Sequence, residues 1–357
     1  MGAGACDQGP GIYQCGHCGP MARCAMRDAR PIAMVEFDLI QRLRARSGTR
    51  ADVVLGIGDD AALLRVPPGE LLAVTTDTLN VGVHFPAETA AADLGWKTLA
   101  VNLSDLAAMG AQPRWCTLSL SLPQADPAWV DSFADGFFAL AEAHGIVLAG
   151  GDTTRGPLSL SVTALGSVPA AAALRRDAAQ PGDDVWITGQ PGEAAAGLAL
   201  WQAGRLDVAQ PATDPVHEHL RQRLLRPTPR VQAGHCLRGL ARACVDISDG
   251  LLADLEHICV RSGVAAELSL AALPVVAAPS EASTAQVHAW QLGGGDDYEL
   301  CFTSPPAQRE AIIQALQGCA VAATRIGRIV AGRGIVVRDA DGRPWVPSRN
   351  GYVHFVG

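Results

Sequence analysis

Residues 91–122 read AADLGWKTLAVNLSDLAAMGAQPRWCTLSLSL, and the hydrophobic period changes once within them. Over residues 91–109 apolar positions recur at three and four, so Thr98, Val101 and Asp105 share one face of a helix that stops at Gly110. Over residues 115–122 the chain alternates strictly, with Cys116, Leu118, Leu120 and Leu122 set against Thr117, Ser119 and Ser121. That is the pattern of a half-buried strand. A helix feeding a strand, with Asp105 presented from the rigid element, sets the reading of the rest.

Outward toward the N-terminus, residues 35–46 are helical, with Phe37, Ile40 and Leu43 on one face, and residues 52–55 and 71–74 read as strands. Thr75-Thr76-Asp77-Thr78 reads as a polar turn after the second of these. Toward the C-terminus, Asp126-Pro127 starts a helix that Gly145 stops; strands over 146–148 and 158–168 flank a glycine turn at Gly150-Gly151-Asp152. A domain boundary is expected between Pro169 and Asp183, around Pro181-Gly182. Beyond it come strands over 185–188, 298–303, 322–329 and 334–338. Helices are expected over 192–202, 217–225, 251–262 and 306–316, with another from the Arg226-Pro-Thr-Pro-Arg230 break to Ala243. The expected fold class is α+β, two domains with mixed sheets flanked by helices. The division is an extension over 1–33, a metal- and nucleotide-binding, dimerising domain over 34–170, and a second α+β domain over 171–357.

Composition narrows the function. The 357 residues are 48% hydrophobic and 18% charged, an ordinary soluble globular balance, and too many for one ordinary core. A formal net charge of −8 gives no basic footprint for nucleic acid or an anionic membrane surface. Of 28 basic residues only Lys97 is lysine, which a coding bias toward arginine accounts for and which excludes a lysine phosphate loop. No apolar run approaches the roughly 18 residues of a membrane span, and residues 1–33 lack the apolar core of a secretory signal, so a cytoplasmic location is expected. Six cysteines, Cys116, Cys236, Cys244, Cys259, Cys301 and Cys319, read as small buried hydrophobes. The other four, Cys6, Cys15, Cys18 and Cys24, lie with His17 in a Gly-rich opening whose spacings fit no common zinc module. That segment reads either as an extension without metal or as an unusual zinc site.

Chemistry concentrates in five aspartate-bearing stretches at the ends of apolar runs. They are Gly56-Ile-Gly-Asp-Asp60, Thr75-Thr-Asp-Thr78, Gly150-Gly-Asp-Thr-Thr154, Asp246-Ile-Ser-Asp-Gly250 and Gly293-Gly-Gly-Asp-Asp297. Carboxylates gathered in one cleft repel by about 1 kcal/mol per pair at 4 Å in water and about 4 kcal/mol at an effective dielectric near 20. Such a cleft calls for cations; hard oxygen ligands favour Mg2+, which usually brings phosphate with it. Gly56-x-Gly58-x-x-Ala61 is near a dinucleotide fingerprint, but Asp59 and Asp60 would oppose a pyrophosphate unless metal intervened.

The strings Gly56-Ile-Gly-Asp-Asp-Ala-Ala62, Thr76-Asp-Thr78 with His84-Phe85, Ala100-Val-Asn-Leu-Ser-Asp-Leu-Ala-Ala-Met-Gly-Ala111, Gly150-Gly-Asp-Thr-Thr-Arg-Gly-Pro157, Asp246-Ile-Ser-Asp-Gly250 and Asp297-Tyr-Glu-Leu-Cys-Phe302 resemble the thiamine-monophosphate kinase family. The likeness runs in order over about residues 36–355, within a superfamily similar to aminoimidazole-ribonucleotide synthetase. It implies phosphoryl transfer from ATP to thiamine monophosphate, with several Mg2+ ions and a homodimer. By likeness Asp60, Thr75, Thr76, Asp77, Asp105, Asp152, Asp246 and Asp249 would hold Mg2+, with Asp60, Asp105, Asp152 and Asp249 catalytic. Gly151, Asp152, Arg176 and Ser248 would meet the nucleotide; His84, Asp296 and Tyr352 would meet the thiamine moiety. One position departs from the family pattern: Asp296 stands where the family has glutamate, one methylene shorter in reach. Two other readings stay open at this stage, an ATP-dependent synthetase or ligase on the same scaffold, and a Mg-nucleotide-binding module without turnover.

Overall fold

The computed structural model describes residues 32–346, 351 and 352. Cys6, Cys15, His17, Cys18 and Cys24, and with them the zinc reading, lie outside the described residues. The first half runs α1 (Ile32–Arg46), β1 (Val53–Leu55), β2 (Leu63–Leu64), β3 (Glu70–Asn80), α2 (Ala91–Ala108), β4 (Gln112–Leu122), α3 (Pro127–His144), β5 (Val147–Arg155) and β6 (Ser159–Pro169). β1 and β2 pair as a small hairpin; the other strands form a mixed sheet in the order β3-β6-β4-β5, with only β4 and β5 parallel.

The second half runs β7 (Asp184–Thr188), α4 (Glu193–Gln202), α5 (Pro215–Leu225), α6 (Val231–Cys236), β8 (Ala243–Ile247), α7 (Leu251–Ser262) and β9 (Ala265–Ser269). It continues with α8 (Thr284–Gly293), β10 (Glu299–Ser304), α9 (Arg309–Gly318), β11 (Ala323–Val330), β12 (Gly334–Arg338) and β13 (Pro344–Trp345). Its sheet has the order β13-β12-β9-β11-β7-β10-β8, mostly antiparallel with β9 and β12 parallel. The α+β class with mixed sheets flanked by helices is thus borne out.

Packing explains the layers. α3 is held at both ends: the Asp126 carboxylate accepts from the Ala128 and Trp129 N–H groups at 2.9 and 3.3 Å, and Gly145 ends the helix in the left-handed region at φ 63°. Its Phe133 and Phe137 are fully buried and stack at 6.0 Å. Burial of each such ring stabilises the fold by about 1.5–3 kcal/mol. β7, β8 and β10 are buried along their whole length. One face of this trio packs under α7 through Val185, Val245 and Cys301, and the other joins the first half's core through Trp186, Leu300 and Phe302. α2 lies between the two halves, touching α3, β3 and β6 on one side and α5, α6, β8 and β10 on the other.

The structure revises several local expectations. Thr75–Thr78 is not a turn: β3 runs through it, in register with β6 at Thr75↔Ala164 and Asp77↔Val162. Gly150–Thr154 likewise lies inside β5, and the chain turns only after Arg155. The helix expected to reach Ala243 ends at Cys236, because 243–247 is taken up as β8. β2, β8, β9, β13 and α8 are additions to the sequence reading. Of the six cysteines read as buried, Cys236 and Cys319 are only partly so, with sulfurs 2.8 Å apart.

α2 and α3 approach closely enough to need glycine at the crossing. A Cβ on Gly95 would stand 1.9 Å from the Phe133 carbonyl oxygen, and one on Gly136 would stand 1.7 Å from that of Ala92. Gly136→Ala is therefore expected to destabilise the protein by about 1–3 kcal/mol by forcing the helices apart. A lowered urea midpoint checks this; an unchanged midpoint would contradict the close crossing.

Candidate active site

Two cavities flank α2 and meet at Asp105. The first, of about 550 Å³, is lined by Asp77, His84, Asp105, Asp246, Ser248, Asp249, Asp296 and Tyr352, with Trp290 and Tyr298 adding aromatic wall. The second, of about 520 Å³, is lined by Thr75 and Asp105 on one side and by Arg175, Arg176, His257 and Arg261 on the other. One cavity is rich in carboxylates, its neighbour in guanidinium groups, and Asp105 belongs to both walls.

Strand alternation decides which predicted residues arrive. On β3, Thr75, Asp77 and Leu79 turn toward α2: the Thr75 hydroxyl donates to the Asp105 carboxylate, and the Asp77 N–H donates to Asn102 Oδ1 at 3.1 Å. Thr76 points to the opposite face, where its hydroxyl donates to the Val162 carbonyl at 3.1 Å. Asp152 is exposed on β5, an edge strand, and Asp60 is exposed beyond β1. Neither they nor Thr76 line the two cavities. Gly151 does not line them either; it holds β5 against β4 at φ 154°, where a Cβ would meet the Leu118 carbonyl at 1.9 Å.

Electrostatics mark the shared wall. Burial, then the charges of Asp105 and Asp249, push the Asp77 carboxyl up to about 6. Burial also raises Asp105, against the Thr75 hydrogen bond and the charge of Arg176. Asp246 at the end of β8 is raised well above the usual carboxylate range by burial, then by Asp105 and Asp254, while the Ser104 hydroxyl donates to it at 2.8 Å. Asp254, on α7, was not among the sequence candidates. Burial and Asp249 lift it to about 7, and it accepts the N–H groups of Ser248, Asp249 and Gly250 at 3.0–3.1 Å, fixing the turn that carries Ser248 and Asp249. The signal was present: an aspartate in the first turn after Gly250 is where a carboxylate meets unpaired helix N–H groups. Lys97 was also passed over, although Lys97, Val101 and Asp105 recur every four residues along α2.

The donor set fits Mg2+. Among the described residues no three of His, Cys, Asp and Glu come together as a ready-made metal cage. Mg2+ seldom uses one; it takes one or two carboxylates together with substrate phosphates and water. Hard oxygens gathered around Asp105, which raises Asp77 and Asp246, beside an arginine-lined space of polyphosphate size, suit that mode of binding.

Known proteins share this architecture. The two halves match the family models for AIR synthase related protein, the N-terminal domain over residues 58–168 and the C-terminal domain over 180–340. The chain is 48% identical over 327 residues to a thiamine-monophosphate kinase of Escherichia coli (strain K12), covering 91% of this chain and 99% of that protein. It is similar to the crystal structure of a thiamine-monophosphate kinase from Stenotrophomonas maltophilia K279a, at 57% identity and a TM-score of 0.81 over 86% of this chain and 97% of that one. A further solved structure, AaThiL complexed with AMPPCP and TMP, is 30% identical with a TM-score of 0.70, covering 92% of this chain and all of that one. The chain belongs to the thiamine-monophosphate kinase family.

A pH effect follows from Asp77. Its folded-state pKa near 6 lies above the ordinary 3.8, so the folded protein holds that proton more tightly than the unfolded chain. The site therefore loses stability as pH rises from about 4 to about 6 and stays at its least stable above that. In metal-free protein Asp77→Asn should raise stability at pH 8 by about 2 kcal/mol, with a smaller gain at pH 5. Urea midpoints at the two pH values check it; equal gains at both would contradict the raised Asp77 pKa.

Proposed function

We propose that this chain transfers the γ-phosphoryl group of ATP to the phosphate of thiamine monophosphate, giving thiamine diphosphate and ADP. The observation that carries this reading is the meeting of an arginine-lined and a carboxylate-lined cavity at Asp105, in a chain of this family. Arg176, with Arg175 and Arg261, suits the anionic nucleotide, whereas Ser248 lines the other, carboxylate-rich cavity and would meet it only where the two cavities join. His84, Asp296 and Tyr352 suit the acceptor, whose thiazolium cation is matched by a carboxylate and an aromatic face.

Asp77, Asp105, Asp246 and Asp249, with the Thr75 hydroxyl, would hold Mg2+, which when bound neutralises phosphate charge at the point of transfer. Within this chain the geometry lends no such support to Asp60, Thr76 and Asp152. The acceptor phosphate is already ionised near neutral pH, with a second pKa of about 6. Its oxygen needs no general base and attacks the γ-phosphorus in line, with ADP as the leaving group. The protein's share is positioning: β3, α2 and β8 hold their carboxylates on rigid backbone, and the Asp254 carboxylate fixes the Ser248–Asp249 turn.

A homodimer is part of this reading. β3 is an edge strand, and Leu71, Leu72 and Val74 on it, with Val54 and Leu63 on the neighbouring hairpin, are exposed apolar side chains. Such a surface suits burial against a second copy. Among the described residues no helix is long and apolar enough to cross a membrane, and a cytoplasmic location accords with an ATP-dependent reaction.

In a coupled ADP assay the protein should release ADP with thiamine monophosphate as acceptor. Release only with free thiamine or an aminoimidazole precursor would replace this reading with another. Asp105→Asn should lower kcat by about 100-fold or more while circular dichroism is unchanged; full activity would remove Asp105 from the chemistry. Leu72→Asp with Val74→Asp should convert a dimer to a monomer in light scattering; an unchanged mass would place the interface elsewhere.

A further inference from the structure

The chain's single lysine is buried beside the acceptor-side cavity. The Lys97 side chain is 3% exposed, and its ammonium has two oxygen partners. It donates to the Leu224 carbonyl in the last turn of α5 at 3.2 Å and to Asp296 Oδ2 at 3.0 Å. A buried ammonium is costly without such compensation, and the carbonyl end of a helix is itself negative, so the head group is confined between these two acceptors.

Asp296 has two further partners. Its second carboxylate oxygen accepts from the Tyr298 hydroxyl at 3.0 Å, and its own N–H donates to the Ser248 carbonyl at 2.8 Å. Asp296 and Tyr298 both lie in the left-handed region, at φ 67° and 53°, which few non-glycine residues adopt unless their surroundings impose it. Meanwhile the Asp296 side chain keeps 30% of its exposure and forms part of the cavity wall. It is a carboxylate on a rigid mount, and one part of that mount, Lys97, comes from α2, the same helix that presents Asp105.

We propose that Lys97 is a positioning residue for acceptor recognition, fixing Asp296 at the depth and orientation from which it meets the cationic ring of the acceptor. This rests on the assignment of the larger cavity to thiamine monophosphate. Aspartate is one methylene shorter than glutamate, so its reach depends on where its backbone and carboxylate are pinned. The ion pair has a second effect. A carboxylate already shared with an ammonium is a poor competitor for Mg2+, so Lys97 keeps Asp296 apart from the metal-facing set of Asp77, Asp105, Asp246 and Asp249.

The test is steady-state kinetics of the full chain with thiamine monophosphate and MgATP, comparing wild type, Lys97→Met, Asp296→Asn and the double variant. Lys97→Met should raise the KM for thiamine monophosphate about tenfold, leaving kcat and the KM for ATP within twofold. In the Asp296→Asn background the same change should have little further effect on KM. Tyr298→Phe removes only the hydroxyl donated to Asp296; it should raise the same KM by a few-fold and serves if Lys97→Met does not fold. A full tenfold loss on top of Asp296→Asn, equal losses in kcat and the KM for ATP, or an unchanged KM would each overturn the proposal. Wild-type protein that forms no thiamine diphosphate would instead overturn the assignment of the cavity, so the two failures are distinct.

Discussion

α2 is the constraint on which both halves depend. Its buried face stretches from Asp93 to Ala108 with few interruptions, so it cannot leave either half without uncovering apolar surface on the other. The same helix carries Lys97 toward the 294–298 loop, Asn102 toward β3, Ser104 toward β8 and Asp105 between the two cavities. Catalytic geometry and core packing are therefore one structure here. The glycines at the α2–α3 crossing, Gly95 on α2 and Gly136 on α3, matter to function for this reason, although neither lines a cavity.

The charge arrangement is unfavourable in the isolated protein. Burial raises Asp77, Asp105, Asp246 and Asp254, neighbouring carboxylates add to this at Asp77, Asp246 and Asp254, and only Asp105, Asp246 and Asp254 have partial relief from a hydroxyl, backbone N–H groups or Arg176. Under the proposed function, bound Mg2+ would supply the relief that the protein withholds. Two other buried acids are neutralised by arginine: Glu299 is held low by Arg230 and Arg223, and Asp184 by Arg309 and Arg325. Neither of these arginine-paired acids lines the two cavities.

Much of this was legible in the residues. The change of period within 91–122 sets α2 and β4, and the family motifs bring Asp77, Asp105, Asp246 and Asp249 to one wall. Local composition misled at Thr75–Thr78 and Gly150–Thr154, where polar and glycine residues read as turns. Their ladder partners, β6 and β4, supply the backbone hydrogen bonds that a turn would otherwise satisfy, and no local window contains those partners. Thr76 fell to the far side for the same reason, since only a strand puts adjacent residues on opposite faces. Lys97 was opaque because its partner lies 199 residues away, and an isolated lysine in an apolar helix carries no mark of what it faces.

The order of strands in the larger sheet has a kinetic consequence. β10 sits between β7 and β8, yet it follows both by more than fifty residues in the chain. Until that strand docks, two strands that are wholly buried in the finished fold each stand with an unpaired edge. Sheets assembled from such distant segments fold slowly, and their intermediates are prone to mispairing. The second half is thus the part of this protein with the greatest need of protection while it folds, whatever its stability once complete.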